Sequence, residues 1–279
     1  MSPLRQAAAY LGLTYALALT VALLFPHKGF APPLTVFAPV IAVALTITFT
    51  SRRGERRRAW AGVGWRTTPR ALLLALVLPA AIAALSYGTA VAVGVARYST
   101  DGITLGSALD LVIGDLLIGT LFIMGEEIGW RGFLLPLLAT ALPRGRAWLV
   151  TGALHACFHL PLLLLTTTYQ SEGNRLIVVP MVLVTITLAG VVYGWLREIS
   201  GGVWAVSVMH NAFNTFFETL ATSAVVGSAA TLAYVTTETG VATLLIVAAV
   251  AAFLVKRTRP PVTAAPLPGP VPPVAEPIG

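Results

Sequence analysis

The chain is dominated by long stretches that contain no Asp, Glu, Lys or Arg: Gln6–His27, Gly29–Ser51, Ala71–Ala96, Ala147–Ser171, Leu176–Leu196, Ile199–Phe217 and Thr239–Val255. A further apolar run, from about Gly106 to Leu142, is interrupted by ionisable groups. A helix needs about 20 apolar residues to cross the hydrocarbon layer, and most of these runs supply them. Lipid offers no partner for a backbone N–H or C=O, so runs of this kind satisfy those groups internally as helices. The pattern predicts an all-α, polytopic membrane protein with about eight transmembrane helices. Only 10% of the residues are charged, against roughly 25% in soluble domains, and no stretch is left over for a soluble domain.

The runs divide the chain into N-terminal helices 1–3 (residues 1–104), a core of helices 4–7 (105–222), a last helix (223–259) and a tail (260–279). The tail is rich in proline (Pro260, Pro261, Pro266, Pro268, Pro270, Pro272, Pro273) and lacks apolar periodicity, so disorder is expected there. The first run is longer than a signal-peptide core and reads as a retained span. Gly125, Gly129, Gly132 and Pro136 mark places where the fourth helix is expected to bend.

Lys and Arg are distributed unequally between alternate connections. Arg5, Arg52, Arg53, Arg56, Arg57, Arg58, Arg66, Arg70, Arg144, Arg146, Arg197, Lys256, Arg257 and Arg259 fall on one side; only Lys28, Arg97 and Arg175 fall on the other. Short loops rich in these residues stay cytoplasmic, which predicts an integral membrane protein with both termini in the cytoplasm. The excess of Arg over Lys, with abundant Ala, suggests a bacterial cell membrane. The formal net charge of +7 belongs to membrane-flanking loops, with no aromatic-interleaved basic face of the kind that binds nucleic acid. Cys157 is the sole cysteine and lies within an apolar run, which excludes a disulfide framework and a CxxC metal pair.

An ionisable side chain near the bilayer centre costs roughly 2.5–3.5 kcal/mol on insertion scales, so the polar residues inside the runs demand partners or roles. Glu126, Glu127 and Arg131 lie in GEEIGWRGFLLP, His155 and His159 in LHACFHLP, and His210 and Asn214 in MHNAFNTFFE. Glu127 and Arg131 are i,i+4 neighbours in the orientation that favours an ion pair. Glu126 is rotated by about 100° and is a candidate general base; alternatively, both acids share Arg131. His210 and Asn214 project from one helix face, near Ser207 and Glu218. They are suited either to hold a developing oxyanion or to join helices by hydrogen bonds. At about 1.5 Å per residue, His159, His210 and Asn214 lie roughly 12–18 Å from the cytoplasmic starts of their helices, and Glu126 reaches a similar level. The expectation is a site in the cytoplasmic half, reached from the cytosol or from that leaflet. His27 reads as a solvated loop residue near the opposite interface.

EExxxR, a downstream His and HxxxN on a later helix together resemble the CPBP family of intramembrane endopeptidases, which includes CAAX prenyl proteases of the Ras-converting type and bacterial Abi and bacteriocin-processing proteins. The resemblance covers roughly residues 105–222. It implies an intramembrane endopeptidase of the glutamate type, working without metal or other cofactor on a peptide or protein substrate among membrane lipids. Glu126 and His159 would activate water, His210 and Asn214 would form the oxyanion hole, and Glu127 and Arg131 would support the site. The family's second motif is usually FxxxH, and His155 stands where the Phe is expected. On the same side as His159, His155 would support or pack against the site, or pair with His159 on a metal. A zinc peptidase with His155, His159 and His210 as ligands and Glu126 as base is the enzymatic alternative, although no HExxH is present. A transporter or scaffold using the same polar groups is the non-enzymatic one.

Overall fold

The computed structural model describes residues 1–27, 29, 31–101, 103–167, 169, 172–219 and 224–258. Lys28, Arg259 and the tail 260–279 lie outside the described residues. All eight apolar runs are helical. In chain order they and their connections form α1 (Pro3–Leu24), α2 (Ala31–Thr35), α3 (Ala38–Thr50), α4 (Arg53–Gly62), α5 (Pro69–Ala92) and the short strand β1 (Ala96–Tyr98). The interrupted run is one composite helix: α6 (Leu105–Leu109), a π-helical stretch (Asp110–Ile118), α7 (Gly119–Glu127), a second π-helical stretch (Ile128–Leu134) and α8 (Leu135–Leu138). Then follow α9 (Arg144–Phe158), α10 (Leu160–Leu165), α11 (Arg175–Ser200), α12 (Val203–Thr219), strand β2 (Val225–Gly227), α13 (Ala229–Val235) and α14 (Val241–Arg257).

Among the described residues, five helical spans are long and apolar enough to cross a membrane: Pro3–Leu24, Ala31–Thr50, Pro69–Ala92, Arg144–Leu165 and Arg175–Ser200. Of the eight expected, the other three differ for identifiable reasons. Helices α12 and α14 have 17 residues each, or about 25 Å at 1.5 Å per residue. The composite helix carries Asp110, Asp115, Glu126, Glu127 and Arg131. Glycines in that helix permit close packing instead of breaking it. Gly125 faces the Val36 carbonyl, and Gly129 lies against the Tyr10 hydroxyl and Pro39, where a Cβ has no room.

One span is interrupted within its length. Pro161 has no N–H to give to the carbonyl of Cys157, and it disfavours helical geometry in the residue before it. Helix α9 ends at Phe158, and His159 sits at the junction with α10.

Contacts among the connections define two ends of the bundle. At one end, Arg197 Nη2 donates to the Val63 carbonyl at 2.9 Å, Val203 N to the Gly64 carbonyl at 2.9 Å, and Arg144 pairs with Glu198 at 2.7 Å. This end carries the arginine-rich loop 51–70. At the other, Thr167 N donates to the Pro26 carbonyl at 3.1 Å, Asn174 N to the Tyr234 hydroxyl at 2.6 Å, and β1 pairs antiparallel with β2. The two groups are those that alternation along the chain places on opposite faces.

Helix α9 lies along α11, and the two cross at Gly152 and Gly190. A Cβ on Gly152 would meet the Thr187 carbonyl, and one on Gly190 would meet Gly152 Cα. Small residues at such crossings let backbones approach where lipid supplies no hydrophobic drive. Gly190→Leu is expected to cost about 1–3 kcal/mol through overpacking and to lower the melting temperature in detergent. An unchanged melting temperature would refute so close a crossing.

Candidate active site

Glu126 and Glu127 close α7, and the wider turns of the second π-helical stretch carry Arg131. The expected ion pair forms: Arg131 Nη1 lies 2.8 Å from Glu127 Oε1, with both side chains 0% exposed. The same carboxylate oxygen accepts from His210 Nδ1 at 2.8 Å. Glu126 does not share Arg131 directly. Its Oε2 lies 2.8 Å from His155 Nε2, and His155 Nδ1 lies 3.2 Å from Arg131 Nη1. His159 Nδ1 is 3.1 Å from the His155 carbonyl. A continuous chain of polar contacts thus runs Glu126–His155–Arg131–Glu127–His210 through side chains from α7, α9, the π-helical stretch and α12.

The donor inventory assigns the protons in this chain. A guanidinium only donates, so His155 Nδ1 accepts from Arg131 and its proton sits on Nε2, directed at Glu126. A carbonyl only accepts, so His159 carries its proton on Nδ1 and keeps the Nε2 lone pair. A carboxylate accepts, so His210 donates through Nδ1. His155, read from the sequence as a supporting or packing residue, is therefore the direct partner of Glu126.

Aromatic rings fix these imidazoles. Trp130 lies 5.0 Å from the His155 ring, Tyr169 stacks on His159 at 5.8 Å and 20°, and Tyr193 stacks on His210 at 5.2 Å and 26°. The Arg131 guanidinium lies 4.9 Å from the Tyr193 ring centroid. Glu126, His155, His159, His210 and Asn214 line one cavity of about 200 Å³. A water's share of liquid volume is about 30 Å³, so a water and a peptide group fit together.

The structure separates other residues from this group. Ser207 hydroxyl donates to the Val203 carbonyl of its own helix at 2.9 Å. His27 is exposed beside Thr167. Glu218 is exposed at the end of α12 and lines a second cavity with Glu238. Sequence reasoning missed Tyr169, Tyr193 and Glu238, which join the cavity from other elements, and Asn211. The Asn211 amide donates to the Asp115 carbonyl at 2.6 Å and fastens α12 to the composite helix. Its signal was present, since a second amide one residue after His210 also needs a partner in lipid.

Glu126, His155 and His159 each offer one ligand atom, and these atoms lie within 4.8 Å of one another. This triplet differs from the three-histidine set considered from the sequence, because Glu127 engages His210. Its fit to a metal is incomplete: with Arg131 donating to Nδ1, His155 presents N–H at Nε2, and a lone pair there requires loss of that contact or of a proton.

Residues 104–216 match the family model described as type II CAAX prenyl endopeptidase, Rce1-like. The matched stretch contains Glu126, Glu127, Arg131, His155, His159, His210 and Asn214. A search of the curated proteins finds no match to the chain.

Removing one partner of a buried ion pair strands the other charge, at a cost of about 3–5 kcal/mol. Arg131→Met is expected to lower the melting temperature in detergent correspondingly. Arg131→Lys is expected not to restore it fully, because an ammonium does not reproduce the planar guanidinium that lies on the Tyr193 ring while its Nη1 meets both Glu127 and His155. Wild-type stability in either variant would remove Arg131 from its structural role.

Proposed function

Since residues 104–216 match the family model of type II CAAX prenyl endopeptidases, Rce1-like, we propose that the chain is a metal-independent, glutamate-type intramembrane endopeptidase with residues 105–222 as its catalytic core. The observation that carries this reading is the Glu126–His155 contact beside a His159 ring whose free nitrogen is Nε2, all within the cavity that His210 and Asn214 line. The protein is an integral membrane protease acting on peptide or protein substrates. Its termini are assigned to the cytoplasm by the surplus of arginine at one end.

In this reaction Glu126 takes a proton from water while His159 Nε2 orients the second O–H. The resulting hydroxide oxygen bonds to the scissile carbonyl carbon. The carbonyl oxygen becomes an oxyanion that accepts from His210 and Asn214. His210 has Nδ1–H committed to Glu127, so it donates through Nε2 as an imidazolium facing that carboxylate. Collapse of the intermediate breaks the C–N bond, and the proton on Glu126 passes to the departing amine. His155 donates to one Glu126 oxygen and leaves the other for water; it positions the base without touching substrate. Glu127 and Arg131 hold His210 and His155 in register.

Glu126→Gln is expected to abolish cleavage of a varied peptide pool by the detergent-purified protein, scored by mass spectrometry, with the melting temperature retained. Cleavage by that variant would sink the assignment, and wild-type cleavage lost with a chelator and restored by zinc would replace it with the zinc reading. His155→Phe is expected to lower kcat at least tenfold with little change in KM; an unchanged kcat would reduce His155 to a packing residue.

A further inference from the structure

Away from the catalytic cavity, a groove of about 550 Å³ runs between α5, α11 and α14. Its apolar lining includes Leu74, Leu78 and Ala81 from α5, Trp195 from α11, and Ala249 and Phe253 from α14. The lining is hydrocarbon apart from the Trp195 indole nitrogen, and an indole suits the headgroup boundary. The groove sits at one level on all three helices. Leu74 and Ala81 lie five and twelve residues from the start of α5 at Pro69, Trp195 five from the end of α11 at Ser200, and Phe253 and Ala249 four and eight from the end of α14 at Arg257. At about 1.5 Å per residue, these positions lie roughly 6–18 Å below the arginine-rich end, the depth of one leaflet in a hydrocarbon layer about 30 Å thick.

Cations stand over that end of the groove. Arg70 is one turn before Leu74 on α5, and Arg257 is one turn after Phe253 on α14, so each shares the face of a groove-lining neighbour. The Arg257 guanidinium lies 5.3 Å from the Phe253 ring centroid. Lys256 precedes it, and α9 brings Arg146 to the same corner, since a Cβ on Gly145 would lie 3.9 Å from Val255 Cγ1. Arg70, Arg146, Lys256 and Arg257 are all exposed. Among the described residues, the carboxylates of this end are already engaged: Glu55 accepts from the Arg52 backbone N–H at 3.2 Å, and Glu198 pairs with Arg144 at 2.7 Å. A surplus of positive charge therefore rims an apolar groove.

We infer that this groove binds an anionic phospholipid of the leaflet on the arginine-rich side, with an acyl chain laid between α5 and α14 and the phosphate held by Arg70, Arg146, Lys256 and Arg257. The apolar length accepts the chain, and guanidinium forks match phosphate oxygens. Basic pockets between helices at such a surface favour anionic headgroups. A zwitterionic lipid would fill the groove as well but bring its own ammonium among the same cations. A second copy of the chain fits poorly, because Glu55 and Glu198 are committed and leave it no anion to offer at this level.

Native mass spectrometry of the full-length, detergent-purified protein, titrated with phosphatidylglycerol or with phosphatidylcholine of the same acyl chains, reads the retained lipid directly. Phosphatidylglycerol is expected to be held about tenfold more tightly than phosphatidylcholine. Arg70→Gln/Arg257→Gln is expected to weaken that binding about tenfold. Ala249→Trp leaves every charge in place and fills the groove from an exposed position, and it is expected to weaken binding similarly; Ala81→Trp repeats the test from α5. Arg53→Gln/Arg57→Gln removes the same charge from exposed positions on α4 and is expected to leave binding unchanged. All variants are expected to keep the wild-type melting temperature without added lipid, which separates lost binding from lost folding. Equal retention of the two lipids, or full retention by both tryptophan variants, would overturn the inference. Equal losses from the two arginine pairs would overturn it by reducing the effect to attraction towards a basic surface. Dimers that hold no phosphatidylglycerol would give the groove to a second copy and overturn it as well.

Discussion

A guanidinium removed from water inside a membrane bundle has few stable arrangements, and Arg131 imposes its arrangement on everything around it. The effective cost of burying an ion is several kcal/mol. The repayment has to come from groups held close: the Glu127 carboxylate at 2.8 Å, the His155 ring nitrogen at 3.2 Å and the face of Tyr193. Each of these contacts then determines another. Glu127 orients His210, and His155 orients Glu126. The pair belongs to structure, and the reacting groups of the proposed chemistry hang from it. Its two carboxyl neighbours are adjacent in sequence yet differ in environment, because one faces Arg131 and the other reaches it through an imidazole.

The bundle is correspondingly unequal along its axis. Arg197 draws the loop 63–66 and the Arg131 backbone together, and Arg144 with Glu198 closes the neighbouring seam. Helices α9 and α11 hold one another through glycine contact at Gly152 and Gly190. At the opposite end the connections are longer and joined by backbone bonds, one of them the three-residue pairing of β1 with β2. Glu238, beyond the matched segment 104–216, enters the lining of the cavity from the connection between α13 and α14.

What the sequence disclosed follows the range of the interactions. The helices were legible because apolar run length is a local property that lipid enforces. The Glu127–Arg131 pair was legible because i,i+4 spacing places side chains on one face. The partnership of Glu126 with His155 was not, since it depends on the rotation of α9 against α7. Tyr169 and Tyr193 carry no spacing signal, because they approach from other elements through tertiary packing. Asn211 was readable in principle, yet its neighbours in HxxxN drew the attention.

Charge arithmetic connects the static cluster to the proposed reaction. Glu126, Glu127 and Arg131 with three neutral imidazoles sum to one negative charge in a medium where uncompensated charge is expensive. One bound proton brings the cluster to neutrality. Placed on His210, it turns Nε2 into the donor that an oxyanion requires while leaving Glu126 ionised as the base. When water then gives its proton to Glu126, the negative charge leaves that carboxylate and reappears on the carbonyl oxygen opposite the imidazolium. The total within the cavity does not change, so the low dielectric that makes an unpaired charge costly strengthens the attraction between oxyanion and imidazolium at the moment the charge moves. Arg131 is what makes this balance available: without its positive charge, the same two carboxylates would need a second proton, and Glu126 would be the nearest place to put it.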